Sequence, residues 1–210
     1  MTRSVAIIGK GPSVRYSTKA FVDSFDDIAI CNFPPMENYQ HLISNRATHH
    51  FLNAGDPYPY SREFLNNLGL KEVFNTSRHV HAPNQTFLPD HDVSYIENYG
   101  IGVKKKYEEK YNFWPSTGIM AFDYFLNHPE YQKISLVGFD FFLPGKDVYY
   151  FPKNEVNPSL HRLWNDELYS MDGKVLKESL GHGGERVKEI ILSLIQKSDK
   201  DILILDKKIV

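Results

Sequence analysis

Short apolar runs rich in branched residues alternate along this chain with segments of helical period. "SVAIIGKGPSV" begins as such a run and ends in Gly9, Gly11 and Pro12, the way a buried parallel strand passes into a tight turn. "DDIAICN" and "ATHHFLN" predict a second and a third strand, each closed by an Asn. "EFLNNLGLKEVFNTS" reads as a helix that runs into another short strand. "STGIMAFDYFLNH" has apolar residues at helical spacing, and "KISLVGFDFF" after it is the strongest internal strand. The pattern closes on an amphipathic "HGGERVKEIILSLIQKS" and a clean strand, "DILILD". Strands alternating with helices predict an α/β fold, a single Rossmann-like domain over residues 1–210 whose mostly parallel sheet has helices on both faces. Residues 143–181 are the least regular and are expected to form a mobile, lid-like region over the site. In such sheets ligands sit beyond the carboxyl ends of the strands, which singles out Gly9 to Ser13, Asn32, Asn53 and the residues after Phe139.

Composition narrows the partners. A chain of 210 residues supports one substantial core. A formal net charge of -2 removes the electrostatic case for nucleic acid, which needs a basic face. The basic cluster "KKKYEEK" at 104–110 is diluted by Glu108 and Glu109 and reads as a solvated loop. A lone cysteine, Cys31, cannot form an internal disulfide, so the fold does not need an oxidising compartment. The first apolar stretch is too short for a signal peptide, and no segment is long enough to span a bilayer. The expectation is a cytoplasmic protein, with peripheral attachment to a membrane through its acceptor left open.

Three stretches carry candidate chemistry. Gly9, Lys10, Gly11, Pro12 and Ser13 form a glycine turn that lets main chain approach a phosphate or ribose. It lacks the third glycine of the dinucleotide fingerprint and the spacing of a P-loop, so it serves equally well as a turn needed only to leave the sheet. In "YNFWPSTGIMAFDYFLNHPE", Ser116 and Thr117 can cap a helix and, with Gly118, leave its first amides pointing outward, where the macrodipole favours a carboxylate or phosphate; an ordinary cap has the same pattern. His182 stands between Gly181 and Gly183 at the start of the last helix. An imidazole there stays neutral and able to accept a proton, though a surface cap histidine is the plainer reading. His49 and His50 point to opposite faces of a strand, so at most one can line a given site, and neither has a partner at metal-ligand spacing. His161 and Glu167 have a base-and-orienter spacing that is common by chance. No zinc motif or Asp-x-Asp pair is present, and "FDD" at 25–27 comes before a strand rather than after one. A metal-free mechanism without a cofactor is expected.

Taken together these stretches resemble the sialyltransferases, the vertebrate Golgi enzymes in particular, with a glycine turn closer to the bacterial ones. That family has four short motifs in fixed order. The large motif is similar to "VAIIGKGPSV", "IAICNFPP" and "NRATHHFLN"; the small motif resembles "PSTGIMAFDYFLNHPEYQKISLVGFDFF" over its whole length. The third resembles Tyr149 and Tyr150 in "DVYYFP", and the very small motif resembles His182 and the helix after it. The likeness runs from residue 4 to about 206. There are departures: Lys10 stands where the family usually has Asn, and the nearest glutamates after His182 are Glu185 and Glu189, three and seven on, where the family has one five on. The disulfide that joins the vertebrate large and small motifs cannot be made here, and the expectation is a catalytic domain without their anchor and stem.

The resemblance implies a GT-A-like variant of the Rossmann architecture and inverting, metal-independent transfer of sialic acid, or a related keto sugar acid, from a CMP-sugar donor to a glycan acceptor. His182 would be the general base, and Tyr149 and Tyr150 would stabilise the departing phosphate. Gly9, Lys10, Gly11, Ser13, Asn32, Asn53, Ser116, Thr117 and Gly118 would hold the donor. Three alternatives stay open: a CMP-Kdo transferase, a non-catalytic nucleotide- or glycan-binding module on the same sheet, and, disfavoured by the missing P-loop, a phosphotransferase using "GKGPS" on ATP.

Overall fold

The computed structural model describes residues 2–53, 60–77, 79, 88–141, 143, 147, 149–151 and 184–206. In chain order these form β1 (Arg3–Ile8), α1 (Lys19–Asp23), β2 (Asp27–Cys31), β3 (His49–Leu52), α2 (Arg62–Asn67) and β4 (Glu72–Asn75). There follow β5 (Ser94–Ile96), α3 (Tyr99–Tyr111), α4 (Thr117–Asn127), β6 (Tyr131–Val137), α5 (Glu185–Gln196) and β7 (Asp201–Leu205). The strands build one seven-stranded sheet in the order β5-β4-β3-β2-β1-β6-β7, and every neighbouring pair is parallel.

The continuous apolar runs follow from burial on both faces. All five residues of β2 and all four of β3 are buried, and alternate positions feed two separate cores. Ala6, Ile8, Ile28, Ile30 and Val73 pack with Val22 of α1 and Leu65 of α2 on one face. Val5, Ile7, Phe51, Phe74 and Leu136 pack with Val103 of α3, Phe122 of α4 and Ile191 of α5 on the other. The expected helix-covered parallel sheet is therefore present. Each strand read from the sequence is found, as are the helices before β4, before β6 and before β7.

Two elements depart from expectation. "KKKYEEK" is not a loop but the second half of α3, a helix whose buried residues are Gly100, Val103 and Tyr107. Its lysines and glutamates occupy the solvent side, and Lys106 reaches across to Asp123 of α4 at 2.6 Å. The short edge strand β5 has no buried residue and left no apolar run to read. Of the irregular region 143–181, all but residues 143, 147 and 149–151 lie outside the described residues.

The amino ends of the strands carry an ionic network. Asp27, fully buried, takes a salt bridge from Arg3 and a 2.9 Å hydrogen bond from the Tyr131 hydroxyl, with Lys71 at 3.6 Å. The opposite end is where the chain reverses direction across the sheet: after β1 it steps outward through β2 to β5, then returns to the other side of β1 as β6. Beyond the carboxyl ends of β1 and β6 the connections diverge and leave a crevice, the place where parallel sheets of this kind bind ligands.

Candidate functional site

Two turns meet at this crevice. Gly9 donates its amide to Val137 (2.7 Å) and Gly11 donates to Gly138 (3.0 Å), so the turn after β1 lies against the turn after β6. A Cβ on Gly9 would stand 2.6 Å from the Gly138 carbonyl oxygen, and one on Gly11 would collide with that oxygen and with the Asp140 carboxylate. The glycines are thus required by the close approach of the two turns. The Ser13 amide and hydroxyl both donate to Asp140 (3.0 and 2.8 Å), so Ser13 clamps the two turns together.

A pocket of about 100 Å³ opens between these turns, the end of β2 and the start of α4. Eight of the residues proposed from the sequence line it: Gly9, Lys10, Gly11, Asn32, Ser116, Thr117, Gly118 and Tyr149. α4 begins here because Ser116, extended at φ -66 and ψ 163, accepts the Ile119 amide on its hydroxyl (3.4 Å). The amides of Thr117 and Gly118, in the helix's first turn, have no acceptor within it, and the positive end of the macrodipole adds to them. Gly118 is small because the Phe139 ring packs where its side chain would be, 3.2 Å from a Cβ placed there.

Asn32 follows β2 in the left-handed region, at φ 55. Its amide donates to Phe51 (2.7 Å), and its side-chain oxygen accepts from the Asn53 amide (3.2 Å) and the Thr117 hydroxyl (3.4 Å). Because both side-chain partners are donors, the oxygen must face them, and the Asn32 NH2 remains as a donor at the pocket. Lys10 holds its ammonium 5.1 Å from the centre of the Tyr149 ring, and its carbonyl accepts the Tyr150 amide (3.1 Å). The pocket therefore combines a cation, an amide NH2 and a helix N-terminus, a set suited to an anionic ligand. Cys31 also lines it, but burial pushes its thiol up to about 12, which keeps it protonated and inert.

Three of the expected site residues are not among those that line this pocket. Ser13 faces Asp140, as described. Asn53 supports Asn32 through its backbone amide and is not among the lining residues. Tyr150 is 2% exposed, with its ring edge-on to Tyr39 at 4.9 Å and to Phe151 at 5.0 Å. Tyr149, equally buried, borders the pocket, whereas Tyr150 is not among its lining residues. His182, His161 and Glu167 lie outside the described residues. Two positions after His182, the Gly184 amide donates to the carbonyl of Phe141, a lining residue, so the start of α5 is tied to the pocket wall.

Sequence reasoning singled out the residues after Phe139, among them Asp140 and Phe141, without giving them a role, and did not single out Asp147. Asp140 organises the glycine turn, and Asp147 lines the pocket while its carboxylate lies 3.5 Å from Arg15. "GFDFF" directly after the strongest strand was the available signal, because both connections at a reversal point contribute to the site. Among the described residues no group of three His, Cys, Asp or Glu is placed to hold a metal ion, and no helix is long and apolar enough to cross a membrane.

No protein-family model matches the chain, and neither does any curated protein. Solved structures do. The monofunctional α-2,3-sialyltransferase Cst-I from Campylobacter jejuni aligns over 99% of this chain and 78% of its own, with TM-score 0.60 and 18% identity. The Campylobacter jejuni sialyltransferase CstII in complex with cytidine-5'-monophosphate aligns over 97% and 79%, with TM-score 0.56 and 16% identity. A mammalian sialyltransferase aligns over 99% and 70%, with TM-score 0.56 and 16% identity. A seven-stranded parallel sheet, aligned along nearly the whole chain with these enzymes, gives this protein the sialyltransferase fold.

Proposed function

We propose that the chain is a sialyltransferase-like glycosyltransferase that moves sialic acid, or a related keto sugar acid, from a CMP-sugar to a glycan hydroxyl, with inversion and without a metal. The observation that carries this reading is the pocket itself: the Lys10 ammonium, the Asn32 NH2 and the first amides of α4 converge where the two turns meet. A CMP-linked keto sugar acid presents two anionic groups, a phosphodiester and a carboxylate, and such a pocket offers each a separate donor set. A structural neighbour, CstII, is described in complex with the substrate analogue CMP-3FNeuAc, at 15% identity and TM-score 0.55.

In this reading the acceptor oxygen attacks the anomeric carbon as the bond to the phosphate oxygen breaks, through an oxocarbenium-like state. His182 takes the acceptor proton; such positioned base catalysis is typically worth about 10²- to 10⁴-fold. The departing CMP gains a negative charge, which the Lys10 ammonium beside the Tyr149 ring would meet. The anchoring of α5 through Gly184 to Phe141 supports His182 in this role, because it ties the chain just after that residue to the pocket wall.

The deciding experiment has two arms. Thermal-shift screening against CMP, CDP, UDP, GDP and NAD is expected to show a preference for the cytidine nucleotides. Equal shifts from UDP or GDP would end the donor assignment. His182→Ala is expected to abolish transfer from CMP-sialic acid while leaving CMP affinity within about twofold, because a base contributes to the transition state and not to donor binding. Transfer at the wild-type rate would remove His182 from the mechanism. Parallel incubation with CMP-Kdo and detection of released CMP distinguishes the sugar.

A further inference from the structure

Among the described residues three non-glycine positions have positive φ, Asn32, Asn112 and Phe141, and two of them, Asn32 and Phe141, line the pocket. Asn tolerates the left-handed region better than other non-glycine residues, and at Asn32 the surroundings hold both main-chain groups, the amide and the carbonyl. Its amide and its side-chain oxygen are fixed by Phe51, Asn53 and Thr117. Its carbonyl is fixed by His50, whose Nε2 lies 2.6 Å away. A carbonyl can only accept, so the proton sits on Nε2 and Nδ1 carries the lone pair.

The remaining surroundings of His50 indicate why the residue is a histidine. It is fully buried, with its ring edge-on to Phe33 at 5.2 Å, and among the described residues Nδ1 has no hydrogen-bond partner. An unsatisfied buried nitrogen costs about 1–3 kcal/mol, a penalty that Phe or Leu would avoid in the same apolar surroundings. Packing alone therefore disfavours histidine at this position. What an apolar residue cannot supply is the N–H that meets the Asn32 carbonyl.

We propose that His50 is a positioning residue: its Nε2–H holds the Asn32 carbonyl, and with it the left-handed turn that presents the Asn32 NH2 to the anionic part of the donor. His50 itself does not line the pocket and acts only through Asn32. This rests on the reading of the pocket as a nucleotide-sugar site.

The test is calorimetric CMP affinity for wild type, His50→Phe and His50→Gln, each with Asn32 intact and with Asn32→Ala, alongside melting temperatures. The Gln side-chain nitrogen can occupy the place of Nε2 and restore the donor. His50→Phe is expected to weaken CMP about fivefold, the worth of one hydrogen bond, and His50→Gln to stay within about twofold of wild type. In the Asn32→Ala background His50→Phe is expected to have no further effect on affinity. Unchanged affinity in His50→Phe, a folded His50→Gln as weak as His50→Phe, or the full loss persisting without the Asn32 side chain would each overturn the proposal. Should wild type bind no CMP, the nucleotide reading falls, and His50 is judged on the free protein: nitrogen NMR is expected to place the proton on Nε2, and a proton on Nδ1 overturns the assignment.

Discussion

Tyr149 and Tyr150 are equally buried, but only the first borders the pocket. The first lines the pocket with the Lys10 ammonium near its ring, whereas the second is packed edge-on to Tyr39. If a phenol hydroxyl of this pair stabilises the departing phosphate, Tyr149 is the candidate, because it borders the pocket. Tyr149→Phe is expected to lower kcat by about tenfold or more while CMP affinity stays within about threefold, as for a donor that acts mainly in the transition state. Tyr150→Phe is expected to leave kcat within about twofold. Steady-state kinetics on the two variants check this, and the reverse ranking would return the role to Tyr150. An adjacent aromatic pair was legible in the sequence as chemistry, but which member faces the ligand depends on local backbone direction. The same limit applies to Ser13: a serine in a glycine turn reads as a ligand donor until the position of Asp140 across the crevice is known.

At the scale of elements, α4 does most for the site and is secured at both ends. Its first turn forms one wall of the pocket. Its carboxyl end is closed by Lys200, whose ammonium donates to the carbonyls of Phe125 (3.2 Å), His128 (2.6 Å) and Tyr131 (2.6 Å). A cation at a helix C-terminus meets both the macrodipole and the orphan carbonyls. Lys200→Met is expected to destabilise the protein by about 2 kcal/mol, roughly 4–8 °C in melting temperature, with CMP affinity unchanged. A melting temperature equal to wild type in calorimetry would show that water serves these carbonyls as well. α4 was readable because its apolar residues recur at helical spacing behind a Ser cap. α3 was not, because three of its 13 residues are buried and its charged stretch has the composition of a loop. The lysine that closes α4 lies about 70 residues beyond it, a contact that no local pattern carries.

For the whole molecule, strands buried on both faces leave uninterrupted apolar runs, and so the succession of strands could be read directly. Their spatial order could not, because the pattern of a strand does not name its neighbours. The reversal between β1 and β6 therefore emerged only from the structure, and with it the reason that two turns so distant in sequence form one pocket. Burial also couples the fold to pH. It pushes the His50 pKa from 6.5 down to about 4, against a smaller upward effect of the bond to Asn32. Across that interval the unfolded chain binds a proton that the folded protein does not. Stability is thus retained above pH 6.5 and declines as pH falls towards 4, by at most about 3 kcal/mol from this group. Denaturant titrations of wild type and His50→Phe from pH 7 to pH 4 are expected to show a shallower decline in the variant; parallel curves would mean that His50 is protonated in the folded state.

Val5 pairs with Ile134, joining the first strand to one made long after it. A chain emerging from the ribosome can lay β2 beside β1 early, but the opposite side of β1 stays bare until β6 has been synthesised. Half of the crevice does not exist before then. A nucleotide therefore cannot template the early stages of assembly, and the unpaired backbone edge of β1 stays open until then.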